Sequence, residues 1–241
     1  MICGFWQVTG LGPHQIAGWL NMAPSTVYAV LKRAGLSSLA RLDRTTREVI
    51  RYEKERPGEM IHLDVKKLRR ILDGGGRRKD PNWFETNTSY RIRGPLRGQD
   101  FIHVAVDDHS RVVYAEALPN EKADTTVVFL DLAVKAYEAL GVKVEHILTD
   151  NGANYTSKLF KARAEKLGIH LHLTRPYRPQ TNGKAEAFIK TLKREWAYSR
   201  LYTTNDERLA VLPMFIDYYN YRRPHTSLDR LLPASRLYTT S

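Results

Sequence analysis

Acidic residues that act on phosphodiesters have to meet around a metal ion, so the first question is which carboxylates this chain could bring together. Three stand out. Asp64 lies in an extended run, His62-Leu63-Asp64-Val65, among apolar neighbours where an unpaired carboxylate is costly to bury. Asp150 ends a second run, Val144–Thr149, directly before Asn151-Gly152, where a side chain is aimed out of a sheet edge into a crevice. Glu186 falls in the first turns of a helix predicted over residues 184–198. At ~100° per residue, Ala185, Ile189, Leu192 and Trp196 form one packing stripe, while Glu186, Lys190 and Lys193 form a second row roughly 90° around. Such a helix docks by the first row and presents a carboxylate and two lysines at the border of a groove. The lysines are spaced to meet a phosphate backbone.

The elements that must carry these residues follow from hydrophobic period and turn chemistry. Met60–Lys66 is extended, and Phe101–Val106 is apolar on both faces, as a central strand is. Asp107-Asp108-His109-Ser110 turns the chain into Arg111–Leu118, which predicts a hairpin. Asp124 is placed to cap a helix whose stripe is Val127, Leu130, Val134 and Tyr137 and which stops at Gly141. A helix over Ser157–Leu167 and a strand over Ile169–Thr174 complete an order of β-β-β-α-β-α-β. Helices over 184–198 and about 206–221 follow, the last stopped by Pro224.

Ahead of this lies a helical hairpin, Gln15–Leu20 and Ser25–Arg33, around Asn21-Met22-Ala23-Pro24. Asn21 tolerates the left-handed backbone that ends a helix, and Pro24 suits the first position of the next. The layout resembles a helix-turn-helix, with Ser25, Thr26, Tyr28 and Arg33 available for DNA. The competing reading is an ordinary helical hairpin. Residues 37–59 read as a basic linker.

With 38 Lys and Arg against 26 Asp and Glu, the 241-residue chain carries a formal charge of +12. That balance suits a polyanion and makes nucleic acid the first partner to test. The single cysteine, Cys3, excludes an internal disulfide and a Cys-rich zinc site. No run approaches the ~18 apolar residues of a membrane helix, and no signal peptide pattern opens the chain, so it reads as intracellular and cytoplasmic, associated with the nucleoid.

Thirty-five residues separate Asp150 from Glu186. Together with His62-Leu63-Asp64, Val106 to Arg111, Thr149-Asp150-Asn151-Gly152, Arg175 to Glu186 and Tyr219 to Leu228 followed by Pro233, this spacing resembles the insertion-sequence transposases that share the catalytic core of retroviral integrases. The match spans residues 60 to about 237. The resemblance implies an α/β, ribonuclease-H-like fold with a mixed sheet flanked by helices, in which Asp64, Asp150 and Glu186 hold two Mg²⁺ or Mn²⁺ ions. It implies cleavage at transposon ends and strand transfer into target DNA, by a homo-oligomer because two ends must be joined. Hard oxygen ligands suit such ions, and two of them can serve both oxygens of an in-line displacement. Ala187 stands where the family often has Arg. The expected organisation is a DNA-binding segment over 1–36, a linker over 37–59, the core over 60–200 and a C-terminal helix and tail over 201–241.

Other features have plainer readings. Asp107 and Asp108 cap the hairpin turn. His170 and His172 share a strand face without a third ligand nearby in sequence, which reads as a solvated face. His62 either lines the metal groove or packs beside the strand. Gly74-Gly75-Gly76 lacks the Lys-Ser/Thr of a phosphate-binding loop. Arg178, Gln180 and Asn182, just ahead of the Glu186 helix, read as a DNA-contacting loop, and Tyr219–His225 as a helix end docked on the core. Two alternative functions are a non-catalytic DNA-binding remnant and a hydrolytic nuclease on the same fold.

Overall fold

The computed structural model describes residues 1–36, 53–73, 98–174 and 182–238. They belong to two units, Met1–Glu53 and Lys54–Ser241. In the first, α1 (Ile2–Thr9), α2 (Pro13–Leu20) and α3 (Pro24–Arg33) share a core of Ile2, Trp6, Ile16, Ala17, Val27, Leu31 and Leu36. Asn21 ends α2 in the left-handed region (φ 49) and Pro24 opens α3, as expected, while Ala23 provides no side-chain cap. The first helix, α1, has no counterpart in the sequence reading. Its sequence is rich in aromatic and β-branched residues, and only the one-turn spacing of Ile2 and Trp6, both buried, marks its inner face.

The second unit is built on a five-stranded sheet of order β3-β2-β1-β4-β5. The strands are β1 (Ile61–Arg69), β2 (Gln99–Asp107), β3 (Val113–Leu118), β4 (His146–Thr149) and β5 (His170–Leu173). β1, β2 and β3 pair antiparallel, whereas β4 pairs parallel to both β1 and β5. This is the mixed sheet expected of a ribonuclease-H-like core. β1 runs beyond Lys66 because its pairing with β2 continues to Arg69 opposite Gln99.

Helix α4 (Ala123–Ala139) buries Phe129, Leu130, Ala133, Val134 and Tyr137 as foreseen in outline, with Val127 only half-buried. Asp124 does not cap it. Lys122 holds the N-cap position, and the Asn120 side-chain oxygen accepts from Lys122 N (2.8 Å) and Thr125 Oγ1 (2.7 Å), leaving Asp124 in the first turn where the helix dipole favours a carboxylate. The short α5 (Ala153–Thr156) leads into α6 (Lys158–Lys166), capped by Ser157 accepting from Phe160 N.

Beyond β5 comes α7 (Gly183–Leu192), which continues into a π-helical turn, Lys193–Ala197. The single helix expected over 206–221 is two, α8 (Asn205–Ala210) and α9 (Leu212–Tyr221). Pro213 cannot donate the hydrogen bond a continuous helix needs, yet it fits the first turn of a new one.

The sheet is covered on both faces. Ile61, Leu63, Ala105 and Ile147 pack with residues of α4 and α6. Leu68, Ile102, Val104 and Val106 pack with Ala185, Phe188, Ile189 and Leu192 of α7 and with Leu212, Phe215 and Tyr219 of α9. The helix end around Tyr219–Arg223 packs on the core, with Tyr219 buried, Asn220 bonded to β3 and Arg223 paired with Glu195. Among the described residues no helix is long and apolar enough to cross a membrane.

Candidate active site

The parallel pairing of β1 with β4 sets Ile61 opposite Ile147 and His62 opposite Leu148. Continued two residues along, that register brings Asp64 beside Asp150. Both line a cavity of about 430 Å³ together with Glu121, Lys122, Asn154 and Tyr155. Asp64 is half-buried and its Oδ1 accepts from the following amide, Val65 N, at 2.7 Å. Asp150 is exposed just past β4, and its Oδ1 accepts from Gly152 N at 2.9 Å. Gly152 leaves room for this turn: a Cβ there would lie 2.6 Å from Asn154 Oδ1 and 2.9 Å from Asp150 Oδ1, so those side chains would have to shift.

Glu186 stands exposed in the first turn of α7, while Ala185, Phe188, Ile189 and Leu192 anchor the helix. Its charge reaches the cavity. Burial, reinforced by the charges of Asp150 and Glu186, pushes the Asp64 carboxyl up to about 6 despite the bond from Val65 N. Three carboxylates that repel one another fit a hard divalent cation by donor type and by electrostatics. Among the described residues no group of three or more His, Cys, Asp and Glu side chains is already arranged to hold an ion.

Glu121, Lys122, Asn154 and Tyr155 were not singled out in the sequence. Asn154 and Tyr155 lie four and five residues past Asp150, in the short α5 that follows it, so counting onward from that aspartate could have found them; nothing local marks Glu121 or Lys122. The Tyr155 hydroxyl is buried, with the Asn154 side chain beside it. Burial and the charges of Asp64 and Asp150 hold it well above the ordinary phenol range.

The remaining expected contacts divide clearly. Lys190 is exposed and Lys193 half-buried, on the row that carries Glu186. Ser25, Thr26, Tyr28 and Arg33 are all exposed on α3, in the other unit. Arg178 and Gln180 lie outside the described residues, as do Gly74-Gly75-Gly76. Asn182 is turned inward instead of toward DNA: it is 4% exposed, with Oδ1 3.1 Å from His62 Nδ1 and Nδ2 donating to Leu63 O at 3.1 Å. His62 therefore packs beside its strand. Asp107 behaves as the turn aspartate expected, accepting from Ser110 N and Oγ and from Gly58 N. His170 and His172 gain a neighbour the sequence did not offer, since His146 on β4 pairs with His170 and its Nδ1 lies 3.0 Å from His172 Nε2. Burial, then the two neighbouring imidazoles, lowers the proton affinity of His172.

Comparison with known proteins gives the family. Two family models, both described as integrase core domain, match residues 54–179 and 167–233. The chain is 30% identical over 139 residues to the transposase for insertion sequence element IS904 of Lactococcus lactis subsp. lactis (strain IL1403), covering 56% of this chain and 54% of that one. It is 31% identical over 113 residues to an insertion element IS136 uncharacterized protein of Agrobacterium tumefaciens (strain T37), covering 46% of this chain and 57% of that one. The chain thus spans about half the length of these curated relatives.

Among solved structures, the simian T-cell lymphotropic virus intasome in complex with PP2A regulatory subunit B56 gamma aligns with a TM-score of 0.58 at 17% identity, over 100% of this chain and 75% of that one. The HTLV-2 integrase catalytic core domain in complex with magnesium (trimeric form) aligns with a TM-score of 0.51 at 18% identity, over 76% and 99%. At such identities these two speak for the fold. The family model itself extends over more than half of the chain and takes in both cavity aspartates, and on that ground the chain belongs to the integrase core domain family.

Proposed function

We propose that this chain is a DNA transposase: a polynucleotidyl transferase that cleaves at transposon ends and transfers the cut strand into target DNA. The observation that carries the reading is the cavity shared by Asp64 and Asp150, with the Asp64 carboxyl raised by burial and by the charges of Asp150 and Glu186. Asp64, Asp150 and Glu186 would hold two Mg²⁺ or Mn²⁺ ions. Bound there, such ions supply Lewis-acid stabilisation to the attacking and leaving oxygens of an in-line displacement.

The protein's own part is placement and exclusion. The paired strands keep Asp64 and Asp150 adjacent, α7 would carry Glu186 to their border, as its charge effect on Asp64 supports, and the half-burial of Asp64 limits screening of its charge by bulk water. Lys190 and Lys193 would follow the phosphate backbone past the cavity, with Arg178 and Gln180 contributing from the preceding segment. Ser25, Thr26, Tyr28 and Arg33 on α3 would read DNA from the 1–36 segment, and the working form would be a homo-oligomer, since two ends are joined in one event. Similarity to the IS904 transposase supports the same activity.

The test is nicking of supercoiled plasmid with Mn²⁺, wild type beside Glu186→Gln, with an EDTA control. Nicking by the wild type alone is expected. Equal nicking by Glu186→Gln, or nicking that persists in EDTA, overturns the assignment. Strand-joined products on end-containing DNA separate transposition from hydrolysis.

A further inference from the structure

One buried polar cluster has no part in the function so far. Asp108, in the turn after β2, is 0% exposed, yet its carboxylate is fully supplied with donors. Oδ1 accepts from His62 Nε2 at 2.7 Å and from the Lys184 ammonium, and Oδ2 accepts from Lys54 N at 2.7 Å. Burial alone would raise this carboxyl, but the bonds from His62, Lys184 and Lys54 N outweigh it and hold the group well below the usual carboxylate range. His62, itself 1% exposed, lies on its other side against Asn182, which reaches on to the Leu63 carbonyl.

The chain positions of these groups give the cluster its meaning. His62 precedes Asp64 by two residues, so both side chains leave β1 on the same face. Asn182 is the N-cap residue of α7, and Lys184 stands two residues before Glu186. An asparagine at that position ordinarily accepts from an amide of the helix's first turn. Here it makes no such bond and is spent on β1 instead. Packing of Ala185 and Phe188 holds α7 to the sheet, but apolar contact is not directional. Two polar attachments two residues apart, Asn182 to β1 and Lys184 to Asp108, fix the height and rotation of the first turn.

We infer that Asp108, His62 and Asn182 are positioning residues that clamp the start of α7 to β1 and so set Glu186 against Asp64. This rests on the reading of Asp64 and Glu186 as metal ligands. Groups that orient ligands from behind typically change metal affinity or activity 10–100-fold when removed.

The experiment measures Mn²⁺ binding by the full chain through loss of the free-ion EPR signal, with hydrogen exchange of residues 186–190, the first amides of α7 with a carbonyl four residues back to bond, recorded in EDTA. Asn182→Ala and Asp108→Asn should raise half-saturating Mn²⁺ by about 10–100-fold. They should also speed exchange at the start of α7 ahead of the sheet strands, and leave DNA affinity in EDTA within about twofold. Lys184→Arg should retain wild-type Mn²⁺ binding and Lys184→Met should not. Wild-type Mn²⁺ binding by Asn182→Ala and Lys184→Met overturns the inference even if Asp108→Asn fails to fold, and so does exchange that quickens uniformly across the sheet. Glu186→Gln separates the two levels: if it also binds Mn²⁺ like the wild type, the ligand reading itself falls, whereas a loss in Glu186→Gln alone sinks only the clamp.

Discussion

In the turn after β2, Asp107 and Asp108 receive six hydrogen bonds between them, from Gly58 N, Ser110 N and Oγ, Lys54 N, His62 Nε2 and Lys184 Nζ. In the cavity between β1 and β4, Asp64 and Asp150 receive one backbone amide each among the described residues. The amino acid is the same and the strands are neighbours, yet Asp108 is held far below the carboxylate range while Asp64 is pushed up to about 6. Supply of donors decides the role. A saturated carboxylate ties elements together, and one left short of donors keeps lone pairs and charge for a cation.

This contrast can be broken from either side. The largest effect is expected at the cavity: Asp64→Asn should cost about a thousandfold or more in Mn²⁺-dependent cleavage, since removing several kcal/mol of transition-state help at ~1.4 kcal/mol per tenfold has that scale. Cleavage assays with DNA binding in EDTA as the control check it, and cleavage within tenfold of wild type would erase the distinction.

At the turn, Asp108→Ala leaves the buried His62 and the Lys184 ammonium without their acceptor. It should lower stability by roughly 3–5 kcal/mol in urea unfolding. A loss below about 1 kcal/mol would mean that the donors are served by water.

The metal-free stability of the cavity gives the opposite sign. A carboxyl whose folded value lies above its unfolded one binds its proton more tightly in the folded state, so stability falls as pH rises from about 4 to about 6 and stays lower above that. Asp64→Asn should therefore stabilise the chain in EDTA at pH 7, by at most about 3 kcal/mol, and flatten that pH window in thermal melts. Destabilisation by the same substitution would place Asp64 with the structural aspartates.

The smallest effect concerns the border of the cavity. Lys190→Ala with Lys193→Ala should reduce the slope of log affinity against log salt by up to ~2 if each lysine meets a phosphate. An unchanged slope would return both to an ordinary solvated helix face.

The sequence carried the strand order and the packing stripe of α7 because both depend on local period: alternation in β1, and Ala185, Ile189, Leu192 and Trp196 at helical spacing. What stayed hidden depends on distant partners. β1 extends to Arg69 only because β2 pairs with it that far. Asn182 looked like a loop residue for DNA because nothing nearby in sequence shows that His62 and Leu63, about 120 residues earlier, take up its side chain. Asp124 matched a cap by type, but Asn120 had already satisfied that end of the helix. The third histidine beside His170 and His172 comes from another strand, through a register no single strand reveals.

Asn220 near the end of α9 has a consequence of a different kind. Its side chain accepts from Val113 N at 2.9 Å and donates to Val113 O at 2.8 Å, so one amide stands in for a peptide group alongside β3. β3 is an outer strand of the sheet, and outer strands with free backbone groups invite pairing with other chains and aggregation. The asparagine occupies the first place where an incoming strand would begin to zip. Replacing it with leucine would keep most of its bulk while leaving the Val113 amide and carbonyl without that partner, which should make this border more open to intermolecular β-structure.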